Sequence, residues 1–288
     1  MFFLGTSASE MIPNPMCGCD VCKQALASKD PREKRCRSAF LLDEENLIDC
    51  GPDVLSACGR EGVSLQNLKH IFLTHTHTDH FSSTTLKNLQ MCITEAPRIK
   101  IFMSQAAYDG MIRLGNVMLE QDYVDFSEQA KRWPTRCTFV PVEPFKDFQV
   151  DDMVVSAVVG RHPGRFFGEN SLNYLFRKDG KTLFYACDTG LFFPETFEYL
   201  KNFRLDTLII ENAFGKQKQP RETFKHMTTE FLFETLDQLI AQNTVDSNTK
   251  IYVTHIGHKN GHLHGELNQL LQGRYGDQIC VAYDGLRI

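Results

Sequence analysis

The sequence has no apolar run long enough to cross a bilayer: its longest, such as Met153–Gly160, fall far short of the roughly 20 residues a membrane helix needs. Its opening Met1-Phe2-Phe3-Leu4-Gly5-Thr6 has no charged n-region and no usable apolar h-region, so no signal peptide is expected and the expected location is cytoplasmic. Proline and glycine are sparse, at 11 and 19 of 288 residues, which excludes a collagen-like chain and argues against a disordered one. Positive charge is not in surplus, since 31 Lys and Arg face 36 Asp and Glu for a formal net charge of −5. Nor does any block of about five like charges occur. A general nucleic-acid binder uses a positive surplus to meet phosphates, so nucleic acid is not expected as a partner. No internal repeat or low-complexity linker divides the chain, and its length suits one domain over residues 1–288.

Cysteine and histidine, by contrast, are plentiful, with ten of each. In a chain of this length without a leader, cysteines are expected to stay reduced and to serve as core fillers or metal ligands. Most are scattered in apolar contexts, but Cys17, Cys19 and Cys22 cluster. The histidines cluster too, as His70, His75, His77 and His80 and again as His255, His258, His262 and His264, leaving His162 and His226 alone.

Strands alternate with helices along the chain. Short β-rich runs stand at Phe2–Leu4, Ser38–Leu42, Leu47–Asp49, His70–Leu73, Ile99–Met103, Leu205–Ile210 and Lys250–Thr254. Hairpins are expected at Ser38–Leu42 with Leu47–Asp49, at Phe148–Val150 with Met153–Val159 and at Asn173–Arg177 with Lys181–Cys187, while Ile279–Tyr283 and Leu286–Ile288 close the chain around Asp284-Gly285. Helical spacing covers Gln105–Gln121 and Thr228–Gln242. Strand after strand ends in a potential ligand: Asp49, His75, His162, Asp188 and His255. Loops that follow strand ends are where α/β proteins build their sites, because the rigid sheet fixes their geometry.

The strongest single signal is His75-Thr76-His77-Thr78-Asp79-His80. Two histidines at i and i+2 of an extended loop can aim at one cation, while Asp79 and His80 point toward another. Imidazole and carboxylate are ligands that zinc, manganese and iron accept. This motif resembles the H-x-H-x-D-H signature of the metallo-β-lactamase superfamily, and the resemblance runs along nearly the whole chain. It implies an αβ/βα sandwich of two mixed sheets flanked by helices. It also implies that His75, His77 and His162 hold one divalent ion, that Asp79, His80 and His255 hold a second, and that Asp188 bridges the two. Asp49 matches the family's early aspartate, which supports the His loop without binding metal. The implied ions are zinc or manganese.

Cys17-Gly18-Cys19-Asp20-Val21-Cys22 gives three thiolates within six residues, suited to a tetrahedral structural zinc that lacks one ligand. Within the superfamily the chain is most similar to the phosphodiesterases of carbon–phosphorus lyase operons, which act on phosphoribosyl cyclic phosphates. That branch carries a comparable cysteine loop, and the likeness implies His258 as its fourth ligand. Here the chain is longer between Ile99 and Val142 and again after His258, where His262 and His264 are read as loop and helix-cap residues. By the same likeness His226, just ahead of an amphipathic helix, assists departure of the leaving oxygen. The implied activity is hydrolysis of a small phosphodiester by a metal-bridging hydroxide that Asp79 orients. Arg161, Arg165, Arg221 and Lys225 flank these loops as candidate phosphate contacts. The expected partners are that small molecule and at most a second copy of the chain, with no membrane. A transfer-RNA 3′-processing endonuclease and a non-catalytic cofactor-biosynthesis relative are the alternatives; the negative charge weighs against the first and the full ligand set against the second.

Overall fold

In the computed structural model, which describes residues 1–92, 99–121, 137–218, 220 and 225–288, the apolar runs become strands buried on both faces. One sheet places β1 (Phe2–Gly5), β2 (Ala39–Leu41), β3 (Asn46–Ile48), β4 (His70–Phe72), β5 (Ile99–Ser104) and β6 (Cys137–Val142) side by side. The other does the same with β7 (Asp147–Val150), β8 (Met153–Pro163), β9 (Asn170–Lys178), β10 (Lys181–Ala186), β11 (Thr207–Glu211), β12 (Lys250–Thr254) and β13 (Ile279–Val281). Each begins with antiparallel pairings and ends with parallel ones, so both are mixed.

The period-2 alternation of side chains sorts the residues into layers. Phe40, Phe72, Phe102, Tyr174, Tyr185 and Ile209 turn inward and share one core between the sheets. Their sequence neighbours Leu41, Ile71 and Ile101 turn outward from the first sheet and pack on α2 (Val54–Glu61), α3 (Ser83–Cys92) and α4 (Gln105–Gln121). Leu208, Ile210, Ile251 and Val253 turn outward from the second sheet. They pack on α1 (Asp20–Ala27), α5 (Pro194–Leu200), α6 (Thr229–Ala241) and α7 (His264–Tyr275). Helix, sheet, sheet, helix is the expected αβ/βα sandwich. Each fully buried large side chain contributes about 1.5–3 kcal/mol of transfer free energy, which is what holds three-residue strands such as β3 and β4 that propensity alone would not.

The Gln105–Gln121 helix, the strands read from the sequence and the hairpins at β2–β3, β7–β8 and β9–β10 agree with the sequence reading, whereas β6 was not read. The turn at Asp284-Gly285 makes no further hairpin. Beyond β13 the chain end leaves the second sheet, and Arg287 bridges to Phe2 on the first, with Phe3 N donating to Leu286 O at 3.0 Å. Among the described residues no helix is long and apolar enough to cross a membrane.

Parallel strands bring their carboxyl ends to one edge, and there the backbone turns sharply. Asp49 after β3, Asp188 after β10 and His255 after β12 all take left-handed φ values, of 62°, 52° and 55°. Side chains with a Cβ adopt that region at a cost, and such strained positions cluster at functional sites.

Candidate metal centre

The His loop between β4 and α3 is fastened from beneath by Asp49. Its carboxylate accepts from Thr74 N at 2.8 Å and faces His80 Nδ1 at 2.6 Å. Gly51 permits the approach: a Cβ there would stand 2.0 Å from the carbonyl of Asp79. Glu169, on the far side, accepts from Thr76 N at 2.7 Å and so clamps the stretch between His75 and His77 to the β8–β9 turn. With both ends held, His75 Nε2 and His162 Nε2 each stand 3.0 Å from His77 Nδ1. Three ligands at zinc–nitrogen distance around a tetrahedral ion would stand about 3.4 Å apart, so the three rings already converge on one point.

A second convergence lies beside it. His80 Nε2 is 2.6 Å from Asp188 Oδ2 and 3.2 Å from Asp79 Oδ2, and His255 Nε2 is 3.1 Å from Asp188 Oδ1. His80 Nε2 is buried yet makes no hydrogen bond of acceptable geometry. An orphaned buried nitrogen surrounded by carboxylate oxygens is costly in a plain protein interior and ordinary in a ligand of a cation. His255 is oriented from behind by Ser38 Oγ, 2.9 Å from its Nδ1. Burial, reinforced by the neighbouring imidazoles, depresses the basicity of His75 and lowers His162 to about 4, so both present neutral nitrogens.

Glu211 was not read from the sequence, although it closes the apolar run Leu208-Ile209-Ile210 and ends β11 as the other ligand-type residues end theirs. Its Oε1 accepts from Thr189 N and Gly190 N at 2.7 and 2.9 Å, holding the loop that carries Asp188. Its Oε2 lies 3.1 Å from His226 Nδ1, which also stands 3.1 Å from Asp188 Oδ1. Burial opposes the charged form of His226, but the Glu211 and Asp188 carboxylates outweigh it and raise its pKa to about 10. Thr228 caps the following helix by accepting from Phe231 N at 3.2 Å, which fixes the loop that presents the ring.

His77, Asp79, His162, Asp188, His226 and His255 line a cavity of about 200 Å³ whose walls include Phe214 and Ala213. Among the flanking cations, Arg161 is committed elsewhere: its Nε donates to Leu191 O at 2.7 Å and its guanidinium lies over the Phe193 ring. Arg165 and Lys225 meet the site through their backbones, on Thr76 Oγ1 and His162 Nδ1 respectively. Arg221 lies outside the described residues.

The cysteine loop forms a separate cluster. Cys17, Cys19, Cys22 and His258 bring their ligand atoms within 4.8 Å of one another, with His258 Nδ1 3.1 Å from Cys17 Sγ and 3.5 Å from Cys19 Sγ. Against the opposing pull of burial, the backbone N–H of Cys22 and the His258 ring lower Cys19 to about 6; burial and the two neighbouring thiols push Cys22 up to about 12. Thiolates this close cannot all ionise near neutral pH without a cation among them, and a zinc ion fits that need. His264 opens α7, as a helix-cap position should, but its ring faces inward to Arg35 Nη2 at 2.9 Å.

Known proteins bear on this arrangement in three ways. No curated protein matches the chain in sequence. Among solved structures it is similar to a diphosphatase from the PhnP family, at 22% identity over 100% of this chain and 95% of that one, with a TM-score of 0.71. It is also similar to zinc-bound PqqB from Methylobacterium extorquens, at 15% identity over 99% and 98% with a TM-score of 0.68. Human short-form tRNase Z follows at 17% identity over 99% and 96%, with a TM-score of 0.59. At these identities the likeness establishes the fold. The family model described as the β-lactamase superfamily domain matches residues 46–256, from the strand that delivers Asp49 to the residue after His255. With strand-end ligands gathered over two facing mixed sheets and that match spanning most of its length, the chain belongs to the β-lactamase superfamily, as a hydrolase of the metallo-β-lactamase fold.

Proposed function

We propose that the chain is one hydrolase domain acting as a dinuclear metal-dependent phosphodiesterase on a small phosphodiester. In this reading His75, His77 and His162 would hold one divalent ion, Asp79, His80 and His255 would hold the other, and Asp188 would serve both. Cys17, Cys19, Cys22 and His258 hold a structural zinc. Two divalent ions, zinc or manganese, would neutralise charge on the phosphoryl oxygens and lower the pKa of the attacking water.

The chain's own groups then supply what remains. Asp79 has a carboxylate at the cavity wall that orients the water by accepting from it. His226 stores a proton: its Nδ1 is held between Glu211 and Asp188, and its ring, beside Phe214 at 5.2 Å between centroids, stands at the cavity wall. A protonated imidazole there donates to the departing alkoxide, the step that a poor leaving group needs most. The buried Glu211–His226 contact is the observation that carries this reading, because a scaffold that only bound metal would have no use for a stored proton. The cavity takes a phosphodiester with a small organic part.

A turnover screen of manganese- or zinc-loaded protein against bis-p-nitrophenyl phosphate and cyclic phosphodiesters tests it. Hydrolysis that stops on chelation and returns on adding metal is expected. Stoichiometric metal with no turnover of any phosphodiester would sink the reading.

A further inference from the structure

Two buried amides outside the metal centre tie together the walls of its cavity. Ala213, Phe214 and His226 line that cavity from one stretch of the chain, and Gly257 and Lys259 from another. Asn260 ends the short turn at His258–Asn260, and Asn212 follows Glu211 at the end of β11. Both side chains are fully buried. Asn260 Nδ2 donates to Asn212 O at 2.6 Å and to Asn212 Oδ1 at 3.2 Å. The Asn212 amide passes the contact on: its Oδ1 accepts from Gly215 N at 3.0 Å, and its Nδ2 donates to Thr229 Oγ1 at 3.1 Å. Lys216 N in turn donates to Asn260 O at 3.0 Å.

Gly215 makes the approach possible. Its φ is 44°, and a Cβ there would stand 2.3 Å from both Asn260 O and Asn260 Oδ1. Thr229 N donates to Gly215 O at 2.9 Å and Phe214 N to Met227 O at 3.0 Å, so residues 214–215 lie against 227–229, immediately after His226. Asn260 Oδ1 finds no hydrogen-bond partner among the described residues. Burying an amide in that way is costly, and only the bonds from its donor end offset it. Neither amide is among the ligand-type groups that converge at the centre, so the network can shape this loop without holding an ion. We infer that Asn260 is a positioning residue for His226: through Asn212, its side-chain amide fixes the loop that holds the ring at the cavity wall. This rests on the phosphodiesterase reading and deepens it, by naming a group remote from the chemistry on which delivery of the proton depends.

The test is a double-mutant cycle on the full manganese-loaded chain: the unmutated protein, Asn260→Ala, His226→Ala and the two together. One substrate is adenosine 2′,3′-cyclic monophosphate, whose ring opening expels an alkoxide; the other is bis-p-nitrophenyl phosphate, which expels a weakly basic phenolate. Asn260→Ala should keep its metal content and lower kcat on the cyclic substrate by about 10–10²-fold, with a much smaller loss on the other. In the His226→Ala background it should cost nothing further. Additive losses in the cycle, or equal losses on the two substrates, would overturn the assignment. Thr229→Val breaks the network at its far end with little change of shape, and should show the same pattern if Asn260→Ala does not fold. Hydrogen exchange keeps the two possible failures apart, because the Gly215 and Thr229 amides should exchange faster in the variant. Faster exchange in a protein that turns over neither substrate sinks the phosphodiesterase reading, whereas unchanged exchange sinks the role of Asn260.

Discussion

Oδ2 of Asp49 lies 2.6 Å from Nδ1 of His80, with both side chains closed off from solvent. The contact sets the tautomer and aim of His80: with Nδ1 turned to the carboxylate, Nε2 faces Asp79 and Asp188. Asp49 thus holds His80 from the side away from Asp79 and Asp188.

Asp49→Asn should therefore weaken metal binding without removing a ligand. Outer partners of metal-bound histidines are typically worth about 10–100-fold in affinity. Competition against a chelating dye measures it, and an unchanged affinity would mean that His80 is oriented by the Thr74 loop alone.

His226 separates catalysis from scaffolding. His226→Ala should keep both active-site ions while losing about 10²–10⁴-fold in kcat on a substrate with a basic alkoxide leaving group. On bis-p-nitrophenyl phosphate, whose leaving group needs little protonation, the loss should be much smaller. Steady-state kinetics on the pair decides, and equal losses would reassign the ring to substrate positioning.

The cysteine cluster joins the N-terminal loop to the segment just past His255. Cys17→Ala should lower the metal content by one ion per chain and lower Tm, while kcat per folded molecule changes far less. Elemental analysis with a thermal scan checks this. An unchanged stoichiometry would remove zinc from the cluster.

His264 makes stability depend on pH. Burial, aided by the Arg35 and Arg32 charges, lowers its folded pKa from 6.5 to about 4. Between those values the unfolded chain binds the proton and the folded chain does not, so stability is full above pH 6.5 and falls as pH drops toward 4. The contribution is at most about 3 kcal/mol. His264→Gln keeps an acceptor for Arg35 but cannot titrate. Denaturant unfolding of both proteins should show their stability difference moving in the variant's favour as pH falls from 7 to 4.5; a difference independent of pH would clear His264 of the role.

Much of this site was legible in the one-dimensional order of residues, because metal ligands must be particular side chains and strand ends are local features. His75, His77, His80, His162, Asp188 and His255 come together in space, and Asp49 lies under the loop as expected. Strongly periodic stretches such as Gln105–Gln121 also declared themselves. What escaped had weak local signals. α1 and α2 are eight residues each, and the start of α7 is held in part by Glu33, whose carboxylate accepts from His264 N across most of the chain. Glu211, at the polar end of one more buried strand, was not read, and only the tertiary structure brings it to His226 and to the loop that carries Asp188. The turn at Asp284-Gly285 would permit the chain end to pair with β13. The structure sends it to Phe2 instead, where Thr6 donates to Asp284 at 2.8 Å and Arg35 reaches the carbonyl of Ala282. Turn chemistry sets where a chain can reverse; which sheet edge receives it depends on what the rest of the molecule has placed beside it, and no window of neighbouring residues carries that information.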